Sequence, residues 1–381
     1  MDCPIRDEPE VAQLFNPNAD RYFAAYYRAL LPRRTAQTLA ECIGSRLVPD
    51  EDDEVTWGRY ANGSRAALAR ALRSPEATLA FTGSASEGVA MVLSARSWGP
   101  ADTILALASE YPRYLHFLEQ LANRTGCQVT TVRTFEELLE RTVAPVRMVI
   151  VSHVCWWSGQ VRDMQTLTRR AADADAEVVV DVVHSLGVLP LDLSSWRASF
   201  VVGNSRKWAL GLEGLGFLHI RDDLVENFRR DFHSTARHTQ SVSYHERERT
   251  AAPESEGYKL EIGGRHKLAQ IALRSSLELM LELGFERISD HVDALARLAI
   301  ELLREQGFQV PTVVGASRLS GITAVELGSV RQALQVRGKL AGDGFQVAVI
   351  DNRLMIASHV FNRKETVVEL VAHLRRAVTS H

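Results

Sequence analysis

Between Thr78 and Arg221 short apolar runs alternate with helix-length amphipathic stretches. TLAFTGS precedes EGVAMVLSA, TILALASE precedes RYLHFLEQLANRTG, and VRMVIVSHV precedes MQTLTRRAADADA; EVVVDVVHS, SFVVGNS and GFLHIR follow. Strands apolar almost throughout have no face for water, and the spacers between them are long enough for crossover helices. The pattern therefore predicts an α/β fold with a mainly parallel sheet covered by helices on both faces. Ligands on such sheets bind beyond the carboxyl ends of the strands, so the polar residues that close each run are the first candidates for chemistry. Upstream, RTAQTLAECIGSRL and SRAALARALRS have helical periodicity. Downstream, LAQIALRSSLELMLELG and HVDALARLAIELLREQG predict two long amphipathic helices, and ITAVELG, SVRQALQVRGKL, FQVAVID, RLMIASHV and KETVVELVAHLRRAV a smaller α/β unit. The expected organisation is an N-terminal helical segment over 1–75 joining the small domain, a large ligand-binding domain over 76–280 and a small C-terminal domain over 281–381. Asp231 to Gly257, polar and poor in apolar residues, is expected to form a long surface loop.

Composition removes several classes of function. Lys and Arg number 44 against 47 Asp and Glu, with no long run of either sign, so neither nucleic acid nor an anionic membrane is an expected partner. The four cysteines, Cys3, Cys42, Cys127 and Cys155, are scattered, which argues against a zinc site or a disulfide framework and suits a reducing cytoplasm. The opening MDCPIRDEPE lacks the basic-then-apolar pattern of a secretion signal, and no apolar run approaches the roughly 20 residues of a membrane span. A cytoplasmic protein is expected.

Candidate chemistry concentrates in EVVVDVVHSLGVLPLDLSSWRASFVVGNSRKWALGLEGLGFLHIR. Asp181 closes one buried-looking strand, and Lys207 follows another strand 26 positions later. Pyridoxal 5'-phosphate chemistry needs such a pair: a lysine amine to form the Schiff base and move protons, and a carboxylate to keep the ring nitrogen protonated. An isolated Asp at a turn and an isolated surface Lys are far more often a cap and a solvated amine. The context separates the two readings. Asp181, His184, Lys207, Trp208, Gly211, Gly214 and Gly216 together resemble the fold-type I enzymes of aminotransferase class V, which include cysteine desulfurases, isopenicillin N epimerase-like proteins and kynureninases.

Four further segments match in the order found in that family, covering nearly the whole chain. In FTGSASEGVAMVL, Ser84, Ala85 and Ser86 stand before a predicted helix, where exposed amides attract phosphate, although a Ser there is also an ordinary N-cap. In SEYPRYLHF, Tyr111 occupies the place from which the family stacks a ring on the cofactor. VSHVCWWSGQV is similar to a "SHVSN..G" stretch, with Trp156 in place of the Asn that contacts cofactor or substrate, and with His153 readable as ligand contact or core. RLMIASHVFN is similar to a C-terminal "R.S.H.YN" stretch, and the resemblance implies that Arg353 grips the substrate α-carboxylate, for which a guanidinium fork is suited. The resemblance also implies that Asn204 contacts the cofactor, that Arg206, standing where relatives often have His, faces the phosphate or holds a structural carboxylate, and that Gly264 in LEIGGRHKLAQ replaces a phosphate-binding Thr. Trp156, Trp157, Tyr26 and Tyr27 are candidates for the pocket wall. A homodimer with sites at the interface is implied as well.

Fold alone does not choose among the reactions open to this cofactor. Family desulfurases take up sulfur on a cysteine in a C-terminal mobile loop, whereas the last cysteine of this chain is Cys155, so persulfide-forming desulfuration is disfavoured. NSRKW with EYP and TGSAS is similar to stretches of the C–S lyases of the ergothioneine pathway and related lincosamide enzymes. The leading expectation is a lyase of secondary metabolism, as in antibiotic biosynthesis, acting on a cysteine S-conjugate. Lys207 serves as base, Asp181 holds the ring nitrogen, and His184 bonds near the phenolate or positions the imine. The alternatives are decarboxylation-coupled oxidative deamination of the same conjugate, an aminotransferase or epimerase of the class, and a non-catalytic binding protein.

Overall fold

The computed structural model describes residues 11–379 except 12, 46–56, 59–60, 144, 229–256, 263–265, 313 and 315–317. A seven-stranded sheet carries strands β2 (Leu79–Thr82), β3 (Thr103–Leu107), β4 (Gln128–Val132), β5 (Val146–Ser152), β6 (Glu177–Asp181), β7 (Phe200–Asn204) and β8 (Gly216–Ile220) in the order β2-β8-β7-β6-β5-β3-β4. All neighbours are parallel except β8, which runs antiparallel between β2 and β7. This is the mainly parallel α/β sheet that the apolar runs predict.

Strand alternation shows why those runs are apolar at every position. Val178 and Val180 of β6 face one core cluster and Val179 the other; Val149 and Val151 of β5 divide from Met148 and Ile150 in the same way. These inner strands are thus buried on both faces. Helix α1 (Arg33–Ser45) packs on a later long helix, and helices α2 (Ser64–Leu72), α3 (Ala85–Ser94), α4 (Pro112–Thr125), α5 (Phe135–Arg141) and α6 (Met164–Asp173) accompany the sheet. Strand β4 was not expected. Its QVTTV is an edge strand with only Val132 fully buried, so it lacks the apolar continuity that marks its neighbours.

Helices α7 (Lys267–Leu283) and α8 (Phe285–Glu305) follow, broken at Gly284, where φ is 85°. Thr35 of α1 donates to Ser275 Oγ of α7 at 2.9 Å, which ties the N-terminal segment to the long helix. A second sheet, of order β1-β10-β11-β9, is built from β1 (Tyr22–Phe23), β9 (Ile322–Glu326), β10 (Gln346–Ile350) and β11 (Arg353–Ala357), with helices α9 (Val330–Gly342) and α10 (Lys364–Thr379). Alternation works here too. Leu354 and Ile356 enter the small unit's own core, while Met355 and Ala357 join the cluster that continues under the large sheet. Most of the Asp231 to Gly257 stretch lies outside the described residues.

Candidate active site

Four strand ends converge at one edge of the large sheet. Thr82 at the end of β2 and Asn204 at the end of β7 both pair with Gly216 at the start of β8, and Asp181 at the end of β6 pairs with Val202 and Ser152. A cavity of about 330 Å³ opens there, lined by Asp181, His184, Asn204, Arg206 and Lys207 together with Ser84, Ala85, Ser86, Tyr111 and Trp156. Ten of the residues singled out from the sequence therefore share one wall.

Asp181 is buried, and both carboxylate oxygens are bonded: Oδ2 accepts from the Tyr114 hydroxyl at 2.5 Å and Oδ1 from the Val183 amide at 2.6 Å. Burial pushes its proton affinity up, while those two bonds and the Lys207 amine pull it down. Lys207 Nζ lies 3.1 Å from His184 Nε2 and 5.3 Å from the Tyr26 ring centre. Burial drives its pKa below the ordinary lysine value, Asp181 opposes that shift, and Arg206 adds to it. His184 is itself buried, stacked on Tyr26 with centroids 4.9 Å apart. Burial, followed by the nearby Lys207 and Arg206 charges, holds it well below the usual histidine range, so the imidazole is neutral.

The first turn of α3 also lines the cavity. Ser84 is the N-cap: its side chain accepts from the Glu87 amide at 3.1 Å, and Glu87 Oε2 accepts from the Gly83 amide at 2.7 Å, a reciprocal capping arrangement. This satisfies two donors and leaves the amides of Ala85 and Ser86, which have no upstream helical carbonyl, beside the cavity. A Cβ at Gly216 would stand 2.5 Å from the Ser84 carbonyl carbon and 2.8 Å from the Ala85 nitrogen, so the helix start sits directly against β8. Asn204 Oδ1 is buried without a hydrogen-bond partner among the described residues.

The sequence did not point to Tyr114, Ser152, Arg113 or Glu213. All four line the cavity. Tyr114 falls one helical turn after Tyr111 and reads as an ordinary core residue of α4; only the bond to Asp181 marks it. Ser152 is fixed by Glu110, which accepts from its amide at 3.1 Å and its hydroxyl at 2.5 Å and pairs with the buried Arg162 at 2.8 Å. Tyr111 meets Tyr114 and Trp156 edge-on at 5.4 and 6.3 Å, and Trp156 donates to the Ser109 carbonyl.

Other expectations are redirected. Arg353 is not on the cavity wall: its Nε and Nη2 both donate to Glu326 Oε1, at 3.0 and 2.9 Å, and its guanidinium lies over Trp157. The motif spacing explains the displacement. Counted back from His359 and Asn362, whose amide-to-carboxamide bond of 2.7 Å fixes their relation, the arginine position of "R.S.H.YN" falls on Met355, which is fully buried. Arg353 precedes it by two residues on the same strand. Tyr26 supports His184 from behind and is not itself on the cavity wall. Arg206 stacks on exposed Tyr27 at 5.4 Å, and no carboxylate pairs with it among the described residues. His153 is buried edge-on against Trp196, away from the cavity. Gly264 lies outside the described residues. Among the described residues there is no metal-binding cluster, and no helix is long and apolar enough to cross a membrane.

The profile described as aminotransferase class-V matches residues 54–347, and the chain belongs to that family. Isopenicillin N epimerase of Streptomyces clavuligerus is 30% identical over 173 residues, 43% of this chain and 44% of that protein. The chain spans about half the length of the first curated relatives it matches. Among solved structures, the apo cysteine desulfurase of Thermococcus onnurineus NA1 superposes with a TM-score of 0.85 at 19% identity, covering 97% of this chain and 98% of that one. The cystine C–S lyase C-DES, solved with its product cysteine persulfide, gives 0.82 at 19% identity over 93% and 97% of the two chains.

The cofactor of this chain is pyridoxal 5'-phosphate. Its residues suit that molecule: a buried carboxylate for the ring nitrogen, an amine and helix-start amides for the phosphate lining the same cavity, and an unpartnered Asn204 oxygen on its wall.

Proposed function

We propose that this chain is a C–S β-lyase that releases a thiol or sulfenate from a cysteine S-conjugate and leaves pyruvate and ammonia. One observation carries the reading: the cavity joins a buried proton-transfer amine, Lys207, to an aromatic wall of Tyr111 and Trp156, and among the described residues it has no thiol on its wall. Cys155 neighbours Trp156 in sequence but is buried away from the cavity. Such a site removes a proton and lets sulfur depart without retaining it. The likeness to a cystine C–S lyase is in keeping with this reading.

Bound here, the cofactor supplies an electron-accepting ring that acidifies the substrate α-hydrogen. Lys207 Nζ takes that proton, and burial keeps the amine available as a base near neutral pH. The C–S electron pair leaves with sulfur, which collects a proton, and water completes conversion of the remaining carbon skeleton to pyruvate and ammonia. Asp181 keeps the ring nitrogen protonated. Trp156 and Tyr111 wall the sulfur substituent. The substrate carboxylate is assigned to Arg113, which lines the cavity at the start of α4 and has no acidic partner among the described residues, since Arg353 is committed to Glu326.

The test is to give the holoenzyme a panel of cysteine S-conjugates and their sulfoxides and to weigh the products. Pyruvate in step with free thiol is expected. An aldehyde and carbon dioxide with the sulfur linkage intact would replace this reading with decarboxylative oxidative deamination. Dependence on a keto acid would mark an aminotransferase, and α-deuterium exchange without consumption an epimerase.

A further inference from the structure

Behind Lys207 runs a chain of hydrogen bonds whose direction is fixed by groups that only donate. The Val360 amide donates to His359 Nδ1 at 2.7 Å, which leaves the proton of a neutral imidazole on Nε2, and that atom lies 2.9 Å from the Trp208 carbonyl oxygen. The Trp208 indole N–H, a donor with no acceptor capacity, bonds His184 Nδ1 at 3.0 Å. His184 Nε2 must then carry the proton, and the atom it faces is Lys207 Nζ at 3.1 Å. An ammonium has no lone pair to accept that bond.

We propose that Trp208 is a positioning residue that locks His184 in its Nε2–H form, so that His184 donates into the cavity and Lys207 is held there as the unprotonated amine. Neighbouring groups fit the same picture. His184 is sandwiched by Tyr26, stacked at 4.9 Å, and Trp208, edge-on at 6.4 Å. Trp208 is wholly buried, stacked on His359 at 5.7 Å, and Gly187, with φ of 111°, brings its backbone against the Trp208 carbonyl so closely that a Cβ would collide with it. The groups that bear on Lys207 are Asp181, which favours the ammonium, Arg206, which opposes it, and the neutral Tyr26 ring. With Asp181 pulling toward the charged form, a fixed N–H aimed at the amine adds directly to the opposing side. His359 anchors the Trp208 peptide from the small unit, which gives the matched His of RLMIASHVFN a task separate from carboxylate binding.

The inference rests on Lys207 being the cofactor lysine and is independent of which substrate bond breaks. It is tested on the full chain freed of cofactor and labelled with 15N-histidine, the His184 signals being assigned by their loss in His184→Gln. Long-range proton–nitrogen spectra should show His184 protonated on Nε2 alone at pH 7 to 8. In Trp208→Phe, which keeps an aromatic ring and removes the donor, the Nδ1–H form should appear. The pH at which Lys207 reacts half-maximally with an amine reagent, read by peptide mass spectrometry, should rise by about one unit, the size expected for one lost charge-opposing hydrogen bond. An Nδ1–H or doubly protonated His184 in the unaltered chain would overturn the proposal without recourse to any variant. So would a folded Trp208→Phe protein with both readouts unchanged, which would leave Trp208 as packing alone.

Discussion

Two arginines, one in the first turn of α4 and one at the start of β11, show how differently one side chain behaves in two places. Arg353 spends its fork on Glu326 in a half-exposed pair, whereas Arg113 stands on the cavity wall with no acidic partner among the described residues. Arg113→Ala should therefore lower kcat/KM for a cysteine conjugate about tenfold or more, the worth of a charge-assisted bond, with most of the loss in KM, while Arg353→Ala should change it far less. Steady-state kinetics on the two variants decides this. Tyr114 offers a second check at the same scale. Its hydroxyl lowers the proton affinity of Asp181, which burial raises, so Tyr114→Phe should move the acidic limb of the kcat/KM profile to higher pH because Asp181 would then hold its proton longer as pH rises. An unmoved limb would detach Asp181 from that titration. Asp181 and Lys207 were legible in the sequence because the one closes and the other follows an apolar strand, where chemistry on such sheets collects. Tyr114 was not, since a helical aromatic one turn after another has the same pattern whether or not its hydroxyl has a partner. Arg353 was misplaced because residues two apart on a strand share a face, and only the buried position of Met355 distinguishes them.

The element proposed to hold the phosphate end is α3, and its position depends on a glycine in a neighbouring strand. Gly216 leaves β8 thin where the Ser84–Ala85 peptide crosses it. A methyl group there has backbone on every near side, so Gly216→Ala should shift the start of α3 and weaken cofactor binding by about tenfold or more while leaving the sheet folded. Cofactor titration followed by absorbance, beside circular dichroism for folding, checks it. Sequence patterning located the strands that are buried on both faces and passed over β4, where an edge position admits polar residues in the middle of a strand. The N-cap at Ser84 illustrates the same limit: the ordinary capping role and the place beside the cavity are both real, and periodicity does not distinguish one from both.

Away from the cavity wall, His153, His219 and His359 are buried as neutral rings. Burial lowers His153 to about 3 and both His219 and His359 to about 4, against about 6.5 for an exposed ring. Because the unfolded chain binds those protons first, their contribution to stability is complete above pH 6.5 and is lost as pH falls toward the folded values. Denaturant unfolding should lose about 1 kcal/mol per histidine between pH 6.5 and 5.5, and His219→Gln, if it folds, should flatten that slope. The dimer implied by the family resemblance is proposed on the same scale and predicts a particle of twice the 42.4 kDa of one chain by light scattering. The account depends most on a single covalent position. Borohydride reduction of the holoenzyme makes permanent the bond between pyridoxal phosphate and its lysine. Peptide mass mapping should then find the added pyridoxyl group on the peptide containing Lys207, and its attachment to a different lysine, or to none, would contradict the site described for this chain.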